Sequence, residues 1–303
     1  MKKPCFKSLM IEPTNICNLH CPVCPTSNKG LKRPKGFMNF QQFKAIIDQV
    51  KNFLEYINLW NYGEPFLAPD IIRMIHYTGE NNILVNIHTN GSVLSRKMMD
   101  QFKKNYRINI SFSIDGLTQE TYSCYRVGGS LEKVLGNLSY LIGLKKKYNL
   151  FNLQIIWQFL IMKTNEHEVN KVFETAKKIG VDKLMLKTIG VNKEHPKYDN
   201  FMPKNKKYQR EREERDKNIN FSECFFVNPG IPTILLNGNV VPCCVDWAGQ
   251  NFMGNIFEEN LLDIWNNQKY RKFRKDYKNG QNVFCNSKCQ WDKNLIYVKK
   301  FNF

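Results

Sequence analysis

The sequence of 303 residues has no apolar run close to the roughly 18 residues that a membrane-spanning helix needs. Its start, MKKPCFKSLMIEPTNI, lacks the apolar core of a signal peptide. No internal repeat is visible, which argues against a repeat architecture. We therefore expect an unexported, cytoplasmic protein, and its length favours about two domains, one large and one small.

Acidic residues are few beside basic ones. The chain has 27 Asp and Glu against 45 Lys and Arg, which gives a formal net charge of +18. This excess favours an anionic partner: a nucleotide sugar, a phosphorylated metabolite, an acidic peptide, a nucleic acid or a membrane surface. It is equally compatible with ordinary solubility. Hydrophobic residues at 42% and charged residues at 24% indicate a globular protein and exclude wholesale disorder.

The chain contains ten cysteines. Secreted disulfide scaffolds are usually much shorter, so in a reducing compartment these thiols are expected to bind metal or to take part in catalysis. Most of them form two groups, which are Cys17, Cys21 and Cys24 near the start and Cys224, Cys243, Cys244, Cys285 and Cys289 toward the end. Cys5 and Cys124 stand apart from both groups.

The first 190 residues alternate between two patterns. Short apolar, β-branched runs predict strands at Ser8–Thr14, Tyr56–Tyr62, Ile83–Thr89, Arg107–Ile114, Leu153–Met162 and Lys183–Thr188. Helical spacing of apolar residues predicts helices at Phe40–Leu54, Pro69–Glu80, Ser95–Lys104, Leu131–Tyr148 and Glu166–Ile179. This order indicates βα units and a parallel sheet, either doubly wound or closed into an incomplete barrel.

Polar motifs follow the first four predicted strands. They are Pro13-Thr14-Asn15, Tyr62-Gly63-Glu64-Pro65, Thr89-Asn90-Gly91 and Ser113-Ile114-Asp115-Gly116. In either fold the carboxyl ends of the parallel strands share one edge of the sheet, so we expect the functional site at that edge.

The later part of the chain has a different composition. Residues 191–223 are polar and mixed in charge, which predicts a linker with a solvated helix and no site of its own. A second unit is expected over 224–303, where Asn237-Gly238 between two apolar runs predicts a β-hairpin with a type I′ turn. A helix containing Leu261 and Trp265 follows. Because this unit has few apolar residues, a bound metal would explain its stability.

The first cysteine group has an unusual number of ligands. Cys17, Cys21 and Cys24 supply three thiolates, whereas a structural zinc site and an ordinary iron–sulfur cluster each take four protein ligands. His20 is an alternative fourth zinc ligand, but it would have to fold back sharply beside Cys21. Three thiolates on a cluster instead leave one iron open to an exchangeable ligand.

The spacing Cys17-x3-Cys21-x2-Cys24, with Gly63-Glu64-Pro65 after the second strand and the Ser113 motif after the fourth, resembles the radical S-adenosylmethionine (SAM) superfamily. The resemblance runs from about residue 8 to 190 and implies a partial (β/α)6 TIM-like barrel over 1–190. It implies a [4Fe–4S] cluster on the three cysteines that chelates SAM. An electron from a donor such as flavodoxin or ferredoxin would then split SAM, and the 5′-deoxyadenosyl radical would take a hydrogen from the substrate.

The same resemblance implies a set of SAM-binding residues. Glu64, together with backbone near Tyr62 and Gly63, would receive the SAM ammonium group. Ser113 would reach the ribose or carboxylate region, and Arg126 would pair with the carboxylate. Asn90, after the third strand, belongs to the same set. Val23 departs from the family pattern, which usually has an aromatic residue beside the last cysteine.

The second cysteine group, taken alone, is compatible with zinc or with an iron–sulfur cluster. The run GNVVPCCVDW and the closing cysteine pair resemble the SPASM/Twitch auxiliary domain, a small α+β unit with a β-hairpin. The resemblance implies one auxiliary [4Fe–4S] cluster on Cys224, Cys243, Cys285 and Cys289. Cys244 would then be the spare thiol, although the choice between Cys243 and Cys244 is open.

Two further side chains have an open role. A free cysteine is usually a small buried hydrophobe. Cys124 lies two residues before Arg126 and is therefore also a candidate hydrogen-atom donor of the kind that an epimerase needs. His88 precedes Thr89 and is either a packed strand residue or a polar group of the site.

The substrate is the least defined part of the prediction. The first hypothesis is a dehydrogenase or epimerase of a small, anionic or sugar-like metabolite, with the auxiliary cluster accepting an electron in the oxidative version. The second is a maturase of a ribosomal peptide, for which the 16 residues before Cys17 leave leader recognition to a separate protein. RNA modification is less favoured because no RNA-binding motif is present. An electron carrier or a zinc-stabilised binding module is the alternative outside enzymology.

Overall fold

The computed structural model describes residues 6–27, 30–190, 195–209, 224–288 and 296–301. Its strands are β1 (Ser8–Ile11), β2 (Tyr56–Asn58), β3 (Leu84–Thr89), β4 (Ile108–Ser113), β5 (Leu153–Ile161), β6 (Lys183–Thr188), β7 (Thr233–Ile234), β8 (Asn239–Val241), β9 (Gly254–Asn255) and β10 (Ile296–Lys300). Its α-helices are α1 (Phe40–Val50), α2 (Ile71–Glu80), α3 (Arg96–Met99), α4 (Gln119–Tyr125), α5 (Leu131–Tyr148), α6 (Val169–Ile179), α7 (Tyr198–Phe201), α8 (Leu261–Asn266), α9 (Gln268–Lys278) and α10 (Val283–Lys288). The predicted alternation of strand and helix from β1 to β6 is confirmed.

The chain divides into two compact units. The first comprises Met1–Ile16, Leu31–Asn86 and Arg212–Gln290. The second comprises Cys17–Gly30, Ile87–Glu211 and Trp291–Phe303. The boundary therefore falls inside β3, and the segment with the first three cysteines belongs to the second unit.

In the first unit, β1 lies between β2 and β7 and is parallel to both, with Ser8 opposite Tyr56 and Met10 opposite Thr233. β2 is also parallel to β3. β7, β8 and β9 are antiparallel neighbours. The hairpin that follows Cys224 thus extends the same run of strands as β1.

In the second unit, β5 lies between β4 and β6 and is parallel to both, with Ser113 opposite Gln158 and Leu160 opposite Lys187. β10 adds an antiparallel strand beside β6. Successive side chains of a strand point to opposite faces, so these pairs define two faces. One face is apolar and fully buried, with Phe112, Trp157 and Phe159 at 0% exposure.

The helices follow the predicted apolar stripes. In α1 the stripe of Phe43, Ile46, Ile47 and Val50 is buried, as predicted, and Asn39 begins the helix with a capping box that involves Gln42. α5 has the predicted bounds. Among the described residues no helix is both long and apolar enough to cross a membrane.

The predicted hairpin is present, but its turn differs from the prediction. Gly238 has a φ of +84°, and its N–H donates to the Leu235 carbonyl at 2.8 Å. Asn237 does not have a positive φ, so the type I′ turn is wrong. One left-handed glycine after an ordinary turn gives a G1 bulge. A Cβ at Gly238 would lie 2.4 Å from Phe257 Cδ2, so the position also requires a residue without a side chain.

Other differences from the prediction have local causes. Short elements escape periodicity, and α4, β9 and β10 were not predicted for that reason. The predicted solvated linker falls partly outside the described residues. In its described part, Phe201 and Met202 are buried, which differs from the solvated segment expected there.

Candidate active site

The cysteine loop that follows β1 is shaped by its own backbone. The Cys24 N–H donates to the Cys21 carbonyl at 3.1 Å, and the Ser27 N–H donates to the Cys24 carbonyl at 3.0 Å. The Leu19 N–H is directed at Cys17 Sγ, with an N···S distance of 3.5 Å. Cys21 is buried, whereas Cys17 and Cys24 are half-buried. The three thiols therefore lie on one short, turned segment.

An apolar cluster from distant parts of the second unit surrounds this loop. Its buried members are Leu19, Cys21, Tyr125, Met162, Ile189, Phe201 and Met202. Cys17, Val23 and Cys24 pack against it from the partly exposed side. Val23, where the family usually has an aromatic residue, thus packs against this apolar cluster. Phe201, whose ring meets that of Tyr125 edge-on, was not predicted to be near the site.

Arg126 contacts the second cysteine. Its Nη1 lies 3.7 Å from Cys21 Sγ, and its Nε donates to Asp115 Oδ2 at 2.6 Å. Burial alone would lower the pKa of Arg126, but the Asp115 carboxylate and Cys21 outweigh it and raise that pKa above its ordinary value. Burial raises the pKa of the Cys21 thiol, and Arg126 opposes this effect. Arg126 is thus a fixed positive charge beside a cysteine sulfur.

Asp115 is a buried anchor for this arrangement. Its side chain is fully buried and also accepts the Leu160 N–H at 2.7 Å through Oδ1. Asn165 supports it, because Asn165 Nδ2 donates to the Asp115 carbonyl at 3.0 Å. The motif after β4 therefore contributes a carboxylate that orients Arg126, a role that the sequence did not predict.

Asn90 contacts the first cysteine. Its Nδ2 lies 3.8 Å from Cys17 Sγ and donates to Asn18 Oδ1 at 3.0 Å. Asn18 Nδ2 donates in turn to Ser92 Oγ at 2.8 Å, and Ser92 Oγ is 2.6 Å from Asn90 Oδ1. Asn18 and Ser92 were not among the predicted site residues. Asn18 could have been suspected only because it follows Cys17, and Ser92 only because it lies in the turn after β3.

The donor set around the three thiols fits an iron–sulfur cluster. Cysteine sulfur binds such clusters as thiolate, and a guanidinium, an amide side chain and a backbone N–H are directed at two of the sulfurs. These donors favour the negative charge of a thiolate. Within the described ranges, no three His, Cys, Asp or Glu side chains are already drawn together as a metal cage.

The Gly63-Glu64 turn belongs to the first unit and packs on the end of the segment that leads to Cys17. The Glu64 N–H donates to the Ile16 carbonyl at 2.8 Å. The buried Glu64 carboxylate caps the following turn by accepting the Phe66 N–H at 3.2 Å. Gly63 has a φ of +101°, and a Cβ there would lie 2.5 Å from the Thr14 carbonyl oxygen. Only glycine combines this backbone angle with so close an approach.

We expect Gly63→Ala to be among the most damaging single-methyl additions in the chain. The left-handed backbone and the 2.5 Å contact with Thr14 should cost about 1–3 kcal/mol of folding free energy and displace the segment before Cys17. Gly136→Ala is the matched control, because a Cβ at Gly136 in α5 meets no atom within 4 Å. It should be neutral or stabilise the protein by about 0.4–1 kcal/mol. Urea unfolding and iron content measure both effects, and equal behaviour of the two variants would contradict the expectation.

The second cysteine group lies in the first unit. Cys285 is buried, and its N–H donates to Asn282 Oδ1 at 3.0 Å. Cys224, Cys243 and Cys244 are half-buried, and Cys289 lies outside the described residues. Burial raises the pKa of Tyr270, the positive charge of Arg274 opposes this effect, and Cys243 adds to it. The Tyr270 hydroxyl is buried without a hydrogen-bond partner in the described part of the chain.

The remaining candidates occupy different environments. Ser113, at the end of β4, is buried, and its Oγ accepts from Gln158 Nε2 at 3.4 Å. Tyr62 is half-buried beside Gly63. Cys124 is exposed on α4, whereas the next two residues face the cysteine loop. Its role as a hydrogen-atom donor stays a prediction, and Cys5 lies outside the described residues.

Comparison with protein families agrees with the two cysteine groups. The model of the radical SAM superfamily matches residues 11–156, and the model of the SPASM iron–sulfur cluster-binding domain matches residues 224–290. The chain thus carries a radical SAM domain and a SPASM domain. These two domains imply SAM and [4Fe–4S] clusters as cofactors. The predicted division of the chain at 190 and 224 stays a prediction.

Curated relatives carry different activities. An AdoMet-dependent heme synthase of Methanosarcina barkeri is 29% identical over 170 residues, which cover 56% of this chain and 46% of that protein. The chain thus spans less than half the length of that relative. An S-adenosyl-L-methionine-dependent 2-deoxy-scyllo-inosamine dehydrogenase of Niallia circulans is 24% identical over 279 residues, which cover 91% of this chain and 88% of the relative.

Solved structures share the fold. BtrN in complex with AdoMet and 2-DOIA has a TM-score of 0.58 at 21% identity, covering 97% of this chain and 98% of that one. SuiB of Streptococcus suis bound to its precursor peptide SuiA has a TM-score of 0.67 at 17% identity, covering 92% of this chain and 67% of that one. Together with the parallel strands, these likenesses confirm the partial (β/α)6 barrel followed by a small auxiliary domain.

Proposed function

We propose that this radical SAM enzyme oxidises or epimerises a small, anionic or sugar-like metabolite. When bound, the cluster and SAM supply a 5′-deoxyadenosyl radical that takes a hydrogen atom from the substrate. The observation that carries the proposal is the cysteine loop itself, in which Arg126 and Asn90 place donors on the sulfurs of Cys21 and Cys17. Three thiolates with this support leave one iron position for a small cosubstrate.

The roles of the ligating residues follow from this loop. Cys17, Cys21 and Cys24 would bind the SAM-binding cluster. Arg126 and Asn90 would stabilise the thiolate charge of two of these ligands by charge-assisted and amide hydrogen bonds. Because Arg126 Nε is already bonded to Asp115, only its Nη groups remain for the SAM carboxylate.

The other SAM contacts are proposed at the ends of β2 and β4. Glu64 is buried and carries a carboxylate, which suits the SAM ammonium group. Gly63 and Tyr62 would supply backbone beside it. Ser113 would reach the ribose or carboxylate region from the end of β4.

For the auxiliary cluster we propose Cys224, Cys243, Cys285 and Cys289 as ligands. The spacing Gly238-x4-Cys243 favours Cys243 over Cys244 as the ligand, and Cys243 is also among the groups that raise the pKa of the buried Tyr270.

A small substrate is favoured by the dehydrogenase relative, which matches this chain over nearly all of its length. Peptide maturation is the second candidate, since the SuiB structure, which contains a precursor peptide, shares the fold. The electron donor would be an external flavodoxin or ferredoxin in either case.

The decisive experiment follows a labelled hydrogen. Anaerobically reconstituted protein should hold about eight irons, four in each cluster, and should convert SAM to 5′-deoxyadenosine with dithionite. Deuterated candidate metabolites and peptides are then offered in turn, and the product is analysed by mass spectrometry. Deuterium transferred from a small metabolite into 5′-deoxyadenosine supports the proposal. Transfer from a peptide alone supports maturation instead, and a zinc-loaded, colourless protein without SAM cleavage would overturn both.

A further inference from the structure

Strands β4, β5 and β6 of the second unit share a polar face on which only Ser113 has been given a role. On β4, β5 and β6 the register places Ser113 opposite Gln158, and Leu160 opposite Lys187. Directly opposed residues of parallel strands share a face, and so do residues two apart on one strand. Gln158 and Lys187 therefore lie on the same face, opposite to the one that buries Phe112 and Trp157. Ser113, Gln158 and Lys187 lie toward the carboxyl ends of their strands, where barrels of this kind bind substrates.

His88, on β3, lies within electrostatic reach of Lys187. Burial, together with the positive charge of Lys187, lowers the pKa of His88 to about 3. His88 is therefore a neutral imidazole near pH 7, which can donate one hydrogen bond and accept another. Two nitrogen-bearing side chains from β3 and β6, one of them cationic, thus lie within electrostatic range of each other.

Gln158 adds an acceptor to this face. The residue is 7% exposed, and its Oε1 has no hydrogen-bond partner among the described residues. Its Nε2 points to Ser113 Oγ at 3.4 Å. A buried acceptor without a partner costs folding free energy, so its retention indicates a ligand that donates to it.

We propose that His88, Gln158 and Lys187 form the substrate-recognition surface, with Lys187 binding an acidic group and Gln158 Oε1 accepting a hydroxyl hydrogen from the same molecule. The substrate class is thus a hydroxylated small molecule with a carboxylate or a phosphate. This assignment rests on the proposed function and refines it. The charge of Lys187 suits an anion, and it disfavours an amino sugar in its protonated form.

The test uses the reconstituted holoenzyme with SAM bound and three probes that share a sugar ring: glucuronate, glucose 6-phosphate and glucose. The His88 imidazole, identified by its absence in His88→Gln, reports binding by NMR. At least one acid should shift the His88 signal and bind about tenfold or more tightly than glucose, as expected for a charged contact. Which acid is preferred distinguishes a carboxylate from a phosphate.

Two lysine variants of the same strand provide the comparison. Lys187→Met should remove the preference for the acid. Lys183→Met should keep it, because Lys183 lies on the same face but four residues earlier, where its Nζ donates to Gln154 at 2.6 Å. Equal losses in the two variants, no binding of either acid at millimolar concentration, or equal binding of glucose would each overturn the assignment.

SAM cleavage separates this inference from the proposed function. Wild type and Lys187→Met should cleave SAM with dithionite at similar rates and bind SAM equally well. If wild type does not cleave SAM, the proposed function fails. If it does, but Lys187→Met binds SAM about tenfold more weakly, Lys187 contacts SAM and the substrate assignment is wrong.

Discussion

Replacing Cys17, Cys21 and Cys24 together by Ala is expected to abolish SAM cleavage and to remove about half of the iron. The three thiols are the ligands proposed for the cluster that binds SAM, and no other cysteine of the described residues belongs to their apolar cluster. Without ligands the cluster is not retained, and an electron has no path to SAM. Iron content, the absorbance of the cluster and the yield of 5′-deoxyadenosine measure the loss, which should be complete for cleavage.

Two control variants make this result specific. Cys224→Ala with Cys285→Ala should also lose about half of the iron but keep part of the SAM cleavage, because these residues are proposed to bind the auxiliary cluster. Cys124→Ala changes an exposed thiol and should keep the full iron content. Undiminished SAM cleavage by the triple variant would refute the ligand assignment.

Glu12→Ala should have one of the largest effects on folding among single substitutions outside the cysteines. Glu12 is fully buried and accepts both Arg33 Nη1 and Nη2, at 2.8 and 2.9 Å. It also accepts the Leu236 N–H at 3.0 Å, so one carboxylate joins β1 to the hairpin of the first unit. Removing it leaves the Arg33 side chain, which is only 10% exposed, without its counter-charge. The expected loss is about 3–5 kcal/mol, read from urea unfolding of the holoprotein.

Comparison with an exposed ion pair and with a double variant tests whether the unpaired buried charge of Arg33 causes the loss of stability. Glu55→Ala breaks the pair with Lys7, whose side chains are 58% and 65% exposed, and should cost less than about 1 kcal/mol. Glu12→Leu combined with Arg33→Met removes both buried charges and should be less destabilising than Glu12→Ala alone. A double variant that is worse than the single one would show that the contacts of Arg33, such as Nε with the Trp247 carbonyl, matter more than the charge.

The site was only partly predictable because its contacts join residues far apart in the chain. The cysteine spacing and the Gly63 turn are local patterns, and their chemistry can be read from residue types alone. Arg126 was predicted to meet SAM, whereas its contacts with Asp115 and Cys21 depend on the docking of α4 against the cysteine loop. Likewise, the polar composition of residues 191–223 predicts a solvated linker, and only the fold brings Phe201 of this segment to the cysteine loop.

The sequence by itself indicated the radical SAM and SPASM domains and the βα order, and it supplied the cysteines that are proposed to bind iron, because these features depend on short-range spacing and on side-chain chemistry. Only the tertiary structure decided what the supporting polar groups touch. It placed Asn90 on Cys17, Arg126 on Cys21 and Glu12 on Arg33. It also brought His88 within reach of Lys187. The physical reason is that strand register and packing set these distances, and neither leaves a periodic signal in a single sequence.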